Sequence, residues 1–347
     1  MTVVCCGLIG WEAAKNGVKK TMSIKNIVIC CDGTGNEYSL NNTNVVGTFS
    51  AIVRDDSQLA FYDPGVGTFD ALGQHVGKAA KKIGTLWGQA FGGGLEENVE
   101  DAYEYLMNRF EPDDRLFIFG FSRGAFTARA LAGMLNKCGL LDKGLKNLIP
   151  YATKMNFQPG NAELARGFKK TYSHECRPHF IGVWDTVASL GHIVPARSFS
   201  DNILNHDVTY GYHAVSIDEK RKKFPVSLWD EDEKAKHQTI EQVWFAGVHS
   251  DVGGWYDERG LSDIALMWMM QKAEGAGLRL RSGWDNNLRP DPKDVLHESR
   301  KGFWKAWGPA PRDIPNGALI HQSVIDRSLD PDIEYKPPLP QEYDIRQ

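Results

Sequence analysis

The chain has 347 residues, a formal net charge of -4 and a hydrophobic fraction of 42%. That length can bury a sizeable core as one large domain or two small ones, and the slightly acidic balance excludes the basic footprint of a nucleic-acid binder. No apolar run reaches the ~18 residues of a membrane span, and the 6 cysteines form neither a zinc spacing nor a secreted disulfide framework.

Residues 2–10 are mildly apolar but lack a basic n-region, so a signal peptide is not expected and residues 1–24 read as an N-terminal extension. The expected location is cytoplasmic, with signal-peptide-independent export left open. Residues 27–31 (Ile-Val-Ile-Cys-Cys) are a buried strand, in which cysteine behaves as a small hydrophobe. The strand runs into Asp32-Gly33-Thr34-Gly35-Asn36, a glycine-rich polar loop of the kind found at the ligand-facing edge of open α/β sheets. Residues 58–62 predict the next strand, closed by the turn Asp63-Pro64-Gly65. Glycine then recurs through 65–94 among Phe69, Leu72, Trp87 and Phe91. This stretch reads as a surface loop with a closely packed helix, in preference to a mobile flap or a lipid-facing surface. Val99, Tyr103, Leu106 and Phe110 lie near helical spacing and predict a helix over 95–110.

Residues 116–119 (Leu-Phe-Ile-Phe) have the continuous apolar character of a strand in a mostly parallel sheet. They lead into Gly120-Phe121-Ser122-Arg123-Gly124, a G-x-S-x-G sequence, and a helical pattern rich in Ala, Leu and Met follows to about Lys137. Strand, glycine-flanked turn and helix are the context in which this motif marks a nucleophile elbow. Ser122 would stand at the carboxyl end of the strand, with the Arg123 amide behind it at a helix N-terminus to stabilise an oxyanion. The competing reading is a serine that only caps the helix.

Residues 140–177 are basic and weakly periodic, and read as an insertion over the site. A further buried strand, 180–184, ends at Asp185, and residues 192–240 read as a second, loop-rich insertion closing on the charged run 230–236. Residues 242–248 predict another strand, ending at His249. A helix follows over 261–273, whose Met267, Trp268, Met269 and Met270 read as core rather than as a lipid-binding stripe. Beyond about residue 290 the chain is irregular and rich in Pro and Trp, with a polar tail from 331 to 347. Strands alternating with helices across long connections define an α/β fold, mostly parallel with helices on both faces, in one catalytic domain over 25–330.

An activated serine needs a base and a carboxylate to orient that base. Asp185 and His249 both follow strands, and the order Ser…Asp…His is that of the α/β-hydrolases. The expected triad is therefore Ser122, Asp185 and His249, with His213 and His321 as rival bases. Gly33 and Thr34 are expected to complete the oxyanion hole. Strand-Asp-Gly-Thr also resembles half of a haloacid dehalogenase signature, but the nucleophilic aspartate of that motif is replaced by Cys30. A hard metal held by Asp32 and Asp251 is a third option, without a recognisable ligand loop.

Four blocks occur in order: Ile-Val-Ile-Cys-Cys-Asp-Gly-Thr-Gly-Asn, Phe-Gly-Phe-Ser-Arg-Gly-Ala, Gly-Val-Trp-Asp-Thr-Val and Gly-Val-His-Ser-Asp-Val-Gly-Gly. With two further blocks at 212–219 and 321–327, they resemble the family of α/β-hydrolase domains that includes the first class of type VI secretion lipase effectors. The resemblance implies an α/β-hydrolase fold, the Ser122–Asp185–His249 triad and, for the secreted members, phospholipase A activity in a rival's periplasm. Unlike those effectors, the chain reads as a catalytic domain without the long C-terminal membrane-anchoring module. The expected substrate is thus a lipid or a small ester, with no cofactor, no metal, no nucleic-acid partner and at most peripheral membrane contact. A soluble esterase and a non-catalytic binding domain of the same fold are the alternatives.

Overall fold

The computed structural model describes residues 24–33, 42–65, 94–158, 160, 162–187 and 202–347. Residues 1–23 of the N-terminal extension, Thr34, most of the glycine-rich stretch and the start of the second insertion lie outside them.

Eight strands form the main sheet: β1 (Asn26–Cys31), β2 (Gln58–Asp63), β3 (Arg115–Phe121), β4 (Pro178–Trp184), β5 (Tyr210–Ser216), β6 (Thr239–Phe245), β7 (Ala318–His321) and β8 (Tyr343–Arg346). Their order is β2-β1-β3-β4-β5-β6-β7-β8, and each neighbouring pair in this sheet is parallel. The chain order reverses between β1 and β3, so their carboxyl ends open the crevice where ligands bind in such sheets.

The central strands β1 and β3 to β5 are buried because helices cover both faces. Alternate residues Ile27, Ile29, Leu116 and Ile118 face one side, where Tyr103 and Leu106 of α2 (Gly94–Arg109) and Leu131 and Leu135 of α3 (Arg123–Cys138) pack. Val28, Phe117, Phe119 and Trp184 face the other. There they meet Val45 of α1 (Asn44–Ala51) and Trp268, Met269 and Met270 of α7 (Gly260–Gly275). The methionine-rich segment is core, as its pattern predicts.

Three expectations need correction. Residues 140–177 do not lie over the site: they fold into α4 (Ile149–Phe157) and α5 (Ala162–Tyr172) against the C-terminal half of α3. Asn156 Nδ2 donates to Ala130 O at 3.1 Å there, and Ile149, Ala152, Met155 and Ala165 are buried in the same core. The supposed insertion 192–240 contains β5, a strand in the middle of the sheet. The irregular C-terminal part supplies β7, α8 (Gln322–Leu329) and β8, where Ile320 and Val324 pack with Val215 and Trp244 in a third apolar cluster.

Candidate active site

Strand β3 must turn into α3 within one residue, and that residue is Ser122, with φ 58° and ψ -116°. A side chain with a Cβ pays strain in this region, and such strain gathers at functional sites. The Ser122 amide donates to Trp184 O at 3.1 Å, tying the turn to the end of β4. A Cβ on Gly120 would stand 2.4 Å from the Gly124 carbonyl oxygen, so the turn requires glycine at that position.

Ser122 Oγ lies 2.8 Å from His249 Nε2, and His249 Nδ1 lies 2.5 Å from Asp185 Oδ2. Three strand ends supply them: Ser122 follows β3, Asp185 follows β4, and His249 opens the short helix α6 (His249–Gly253) after β6. The imidazole is fixed between two rings, Phe121 at 4.7 Å and Phe224 at 5.1 Å between centroids. Gly253 makes room for the first, since a Cβ there would fall 1.9 Å from the Phe121 ring. Glu219 Oε2 accepts from the His249 amide at 3.3 Å, and Asp251 caps the same helix by accepting from the Val248 amide at 2.9 Å.

Asp185 is fully buried and heavily satisfied. Its Oδ1 accepts from the Ser216 amide at 2.9 Å, and Arg312 donates to both of its oxygens, Nη2 to Oδ2 at 2.9 Å and Nη1 to Oδ1. Burial would raise this carboxyl, but Arg312 and the His249 hydrogen bond outweigh it and hold Asp185 well below the usual carboxylate range. For His249 burial wins, pushing the imidazole below its ordinary value against the upward pull of Asp185.

The rival bases are elsewhere. His213 is buried in β5, where its Nε2 accepts from the Thr186 amide at 3.1 Å and its Nδ1 meets Gln242 Oε1 at 3.3 Å. Burial, helped by Arg129, takes its imidazole down to about 3. His321 caps α8, its Nδ1 accepting from the Ser323 amide at 3.2 Å, and burial lowers it to about 4. Neither is within hydrogen-bond reach of Ser122.

The oxyanion-hole expectation is altered. The Gly33 amide donates to Asp32 Oδ1 at 2.6 Å and so is already committed. Arg123 opens α3 and directly follows Ser122. Asp32 Oδ2 accepts from Thr43 Oγ1 at 2.6 Å and Tyr62 OH at 2.9 Å, whereas Asp251 Oδ1 pairs with His297 Nδ1 at 2.6 Å. The two carboxylates weighed as metal ligands thus serve separate networks. Arg129 anchors α3, donating to Ser227 O at 2.6 Å beneath the Trp229 ring. Arg312, Ser216, Glu219 and Phe224 were not singled out from the sequence. Only the burial of a carboxylate at Asp185, which demands a cation, could have signalled Arg312, and nothing in the sequence says which one.

Among the described residues no helix is long and apolar enough to cross a membrane. The chain is similar in structure to an uncharacterised protein from Pseudomonas aeruginosa, with TM-score 0.43, 22% identity and coverage of 75% of this chain and 47% of that one. A second likeness links it to the Tle1 effector bound to the VgrG spike from the Type 6 secretion system, with TM-score 0.37, 18% identity and coverage of 68% and 52%. The uncharacterised protein YEL023C of Saccharomyces cerevisiae is 36% identical over 233 residues, which span 62% of this chain and 34% of the yeast protein. The chain therefore spans about a third of that curated relative's length. The family model described as "T6SS, Phospholipase effector Tle1-like, catalytic domain" matches residues 25–272. That stretch takes in every strand from β1 to β6, and the relationship can be stated outright: the chain belongs to the Tle1-like phospholipase effector catalytic-domain family.

Proposed function

We propose that the protein hydrolyses carboxylic esters of lipids in the manner of a phospholipase A, through an acyl-Ser122 intermediate. The observation that carries this reading is the unbroken relay from Ser122 Oγ to His249 at 2.8 Å and from His249 to Asp185 at 2.5 Å, on a strained strand-to-helix turn. His249 Nε2 takes the serine proton as Oγ attacks the ester carbonyl carbon. Asp185 holds the tautomer with Nε2 free and stabilises the imidazolium that forms. The oxyanion of the tetrahedral intermediate receives the Arg123 amide, a type of contact whose loss costs roughly 10²–10³ in kcat. His249 then protonates the departing alcohol, and water deprotonated by the same imidazole releases the fatty acid. Family membership supports the lipid part of the reading, and the relay supports the serine chemistry.

The test is mass spectrometry after treatment with a fluorophosphonate, wild type beside Ser122→Ala, paired with fatty-acid release from phosphatidylcholine vesicles. A single adduct on Ser122, with vesicle hydrolysis lost in Ser122→Ala, is expected. A folded wild-type protein that takes no adduct would favour the non-catalytic alternative. Labelling with turnover of soluble esters only would make it an esterase.

A further inference from the structure

Arg312 lies outside the family-matched stretch, which ends at residue 272, in the irregular segment before β7. It is buried, yet its guanidinium reaches three parts of the site. It grips both oxygens of Asp185, and Nη1 also donates to Ser216 O and Ser216 Oγ, each at 2.8 Å. Nη2 donates further to Phe224 O at 3.2 Å. Asp185 stands behind the His249 imidazole, and the Phe224 ring packs on its flank. One side chain therefore holds two of the groups that fix the imidazole in place.

We propose that Arg312 is a positioning residue for the reaction: its planar fork sets the plane of the Asp185 carboxylate and hence the aim of His249 at Ser122, while its charge tempers the pull of Asp185 on the imidazole proton. The simpler role, neutralising a buried carboxylate for stability, explains the ion pair but leaves the link to Phe224 without purpose. Lysine would supply the charge without the fork. The other charged groups that face His249 are Glu219, which favours its protonated form, and Arg221, which opposes it. Asp251, two positions along α6, is engaged by His297. With Arg312 removed, Asp185 would be balanced by His249 alone, and the protonated imidazole would persist to higher pH.

This inference rests on the serine-hydrolase reading, and the experiment separates the two. Wild type, Ser122→Ala, Arg312→Gln and Arg312→Lys are titrated with a fluorophosphonate to count active sites, and kcat, KM and the pH profile are measured per labelled site. Arg312→Gln is expected to lose about 10²–10³-fold in kcat, with KM within about threefold, as misaimed triads do. The acid limb of its kcat/KM profile should move up by about one pH unit. Arg312→Lys should restore the position of the limb but recover only part of kcat, remaining at least ~10-fold below wild type because the fork is gone. A variant with fewer labelled sites and lower Tm, but wild-type kcat per site and an unmoved limb, would reduce Arg312 to a structural ion pair and overturn the proposal. A limb that moves down would do the same. If Arg312→Gln does not fold, Arg312→Lys decides alone: kcat within threefold of wild type rejects the fork. A wild-type enzyme unlabelled at Ser122 would instead remove the underlying hydrolase reading.

Discussion

A Cβ on Gly124 would lie 2.1 Å from the carbonyl oxygen of Cys31. The first turn of α3 thus passes over the end of β1 with no space for a methyl group, and the obstacle is backbone rather than a side chain that can swing aside. Gly124→Ala should destabilise the protein by about 3 kcal/mol or more and remove activity, because the elbow cannot form without displacing β1. Gly133 in the same helix is the control: its Cβ would meet only Asn156 Oδ1, at 3.5 Å. Gly133→Ala should therefore be neutral or stabilising by up to about 1 kcal/mol. Urea unfolding of the two variants measures the difference.

The strain at Ser122 gives a second expectation. At φ 58° and ψ -116° the residue occupies backbone space that favours glycine. Ser122→Gly should unfold later than Ser122→Ala in urea, by about 1 kcal/mol, though both are inactive. Equal stabilities would mean that the turn relaxes when the hydroxyl is removed.

His249 and His213 should part company on mutation. His249→Ala should lower kcat by at least ~10³-fold with a modest change in Tm, as loss of a triad base does. His213→Ala should do the reverse. It leaves the Thr186 amide without its partner, removes one contact from Gln242 and opens a cavity in β5, destabilising by about 2–4 kcal/mol. Its kcat per folded molecule should stay within about tenfold of wild type. Circular dichroism melts beside ester turnover test both.

The acid limb of kcat/KM should fall below pH 6.5. Burial lowers the His249 imidazole from its ordinary 6.5. The neutral form that accepts the serine proton therefore survives to lower pH, and activity is lost only as pH drops through the depressed value. Asp185 remains ionised across that range, because Arg312 and His249 keep its carboxyl low. Initial rates on a soluble ester between about pH 4 and 8 would locate the limb, and a midpoint at or above pH 6.5 would contradict the account.

The legible parts of the sequence were those where burial leaves an uninterrupted apolar trace. In β1, Ile27, Val28 and Ile29 are all inaccessible, and in β3 the same holds for residues 116–119, so each reads as a two-sided strand. Strand β5 is just as central but spells Tyr-Gly-Tyr-His-Ala-Val-Ser. Its buried His213 is satisfied by Thr186 and Gln242, partners that only the fold brings near, so the segment has no continuous apolar trace to mark it as a strand. Strands β7 and β8 have 4 residues each, too few for a period to emerge. Ser122, Asp185 and His249 were readable because parallel strands deliver their carboxyl ends to one edge. Arg312 was not, since no repeating pattern surrounds it and the need for a counter-charge does not point to its supplier.

The position of Arg312 also bears on when the site can exist. Chains leave the ribosome N-terminus first and fold as they lengthen. Ser122, Asp185 and His249 therefore emerge well before the cation that completes the carboxylate's surroundings, and before strand β7, which pairs with β6. Until then Asp185 has no permanent counter-charge, and a buried lone carboxylate takes up a proton rather than remain ionised. A nascent chain would thus hold Ser122 beside an unaligned imidazole until Arg312 has emerged and closed on Asp185.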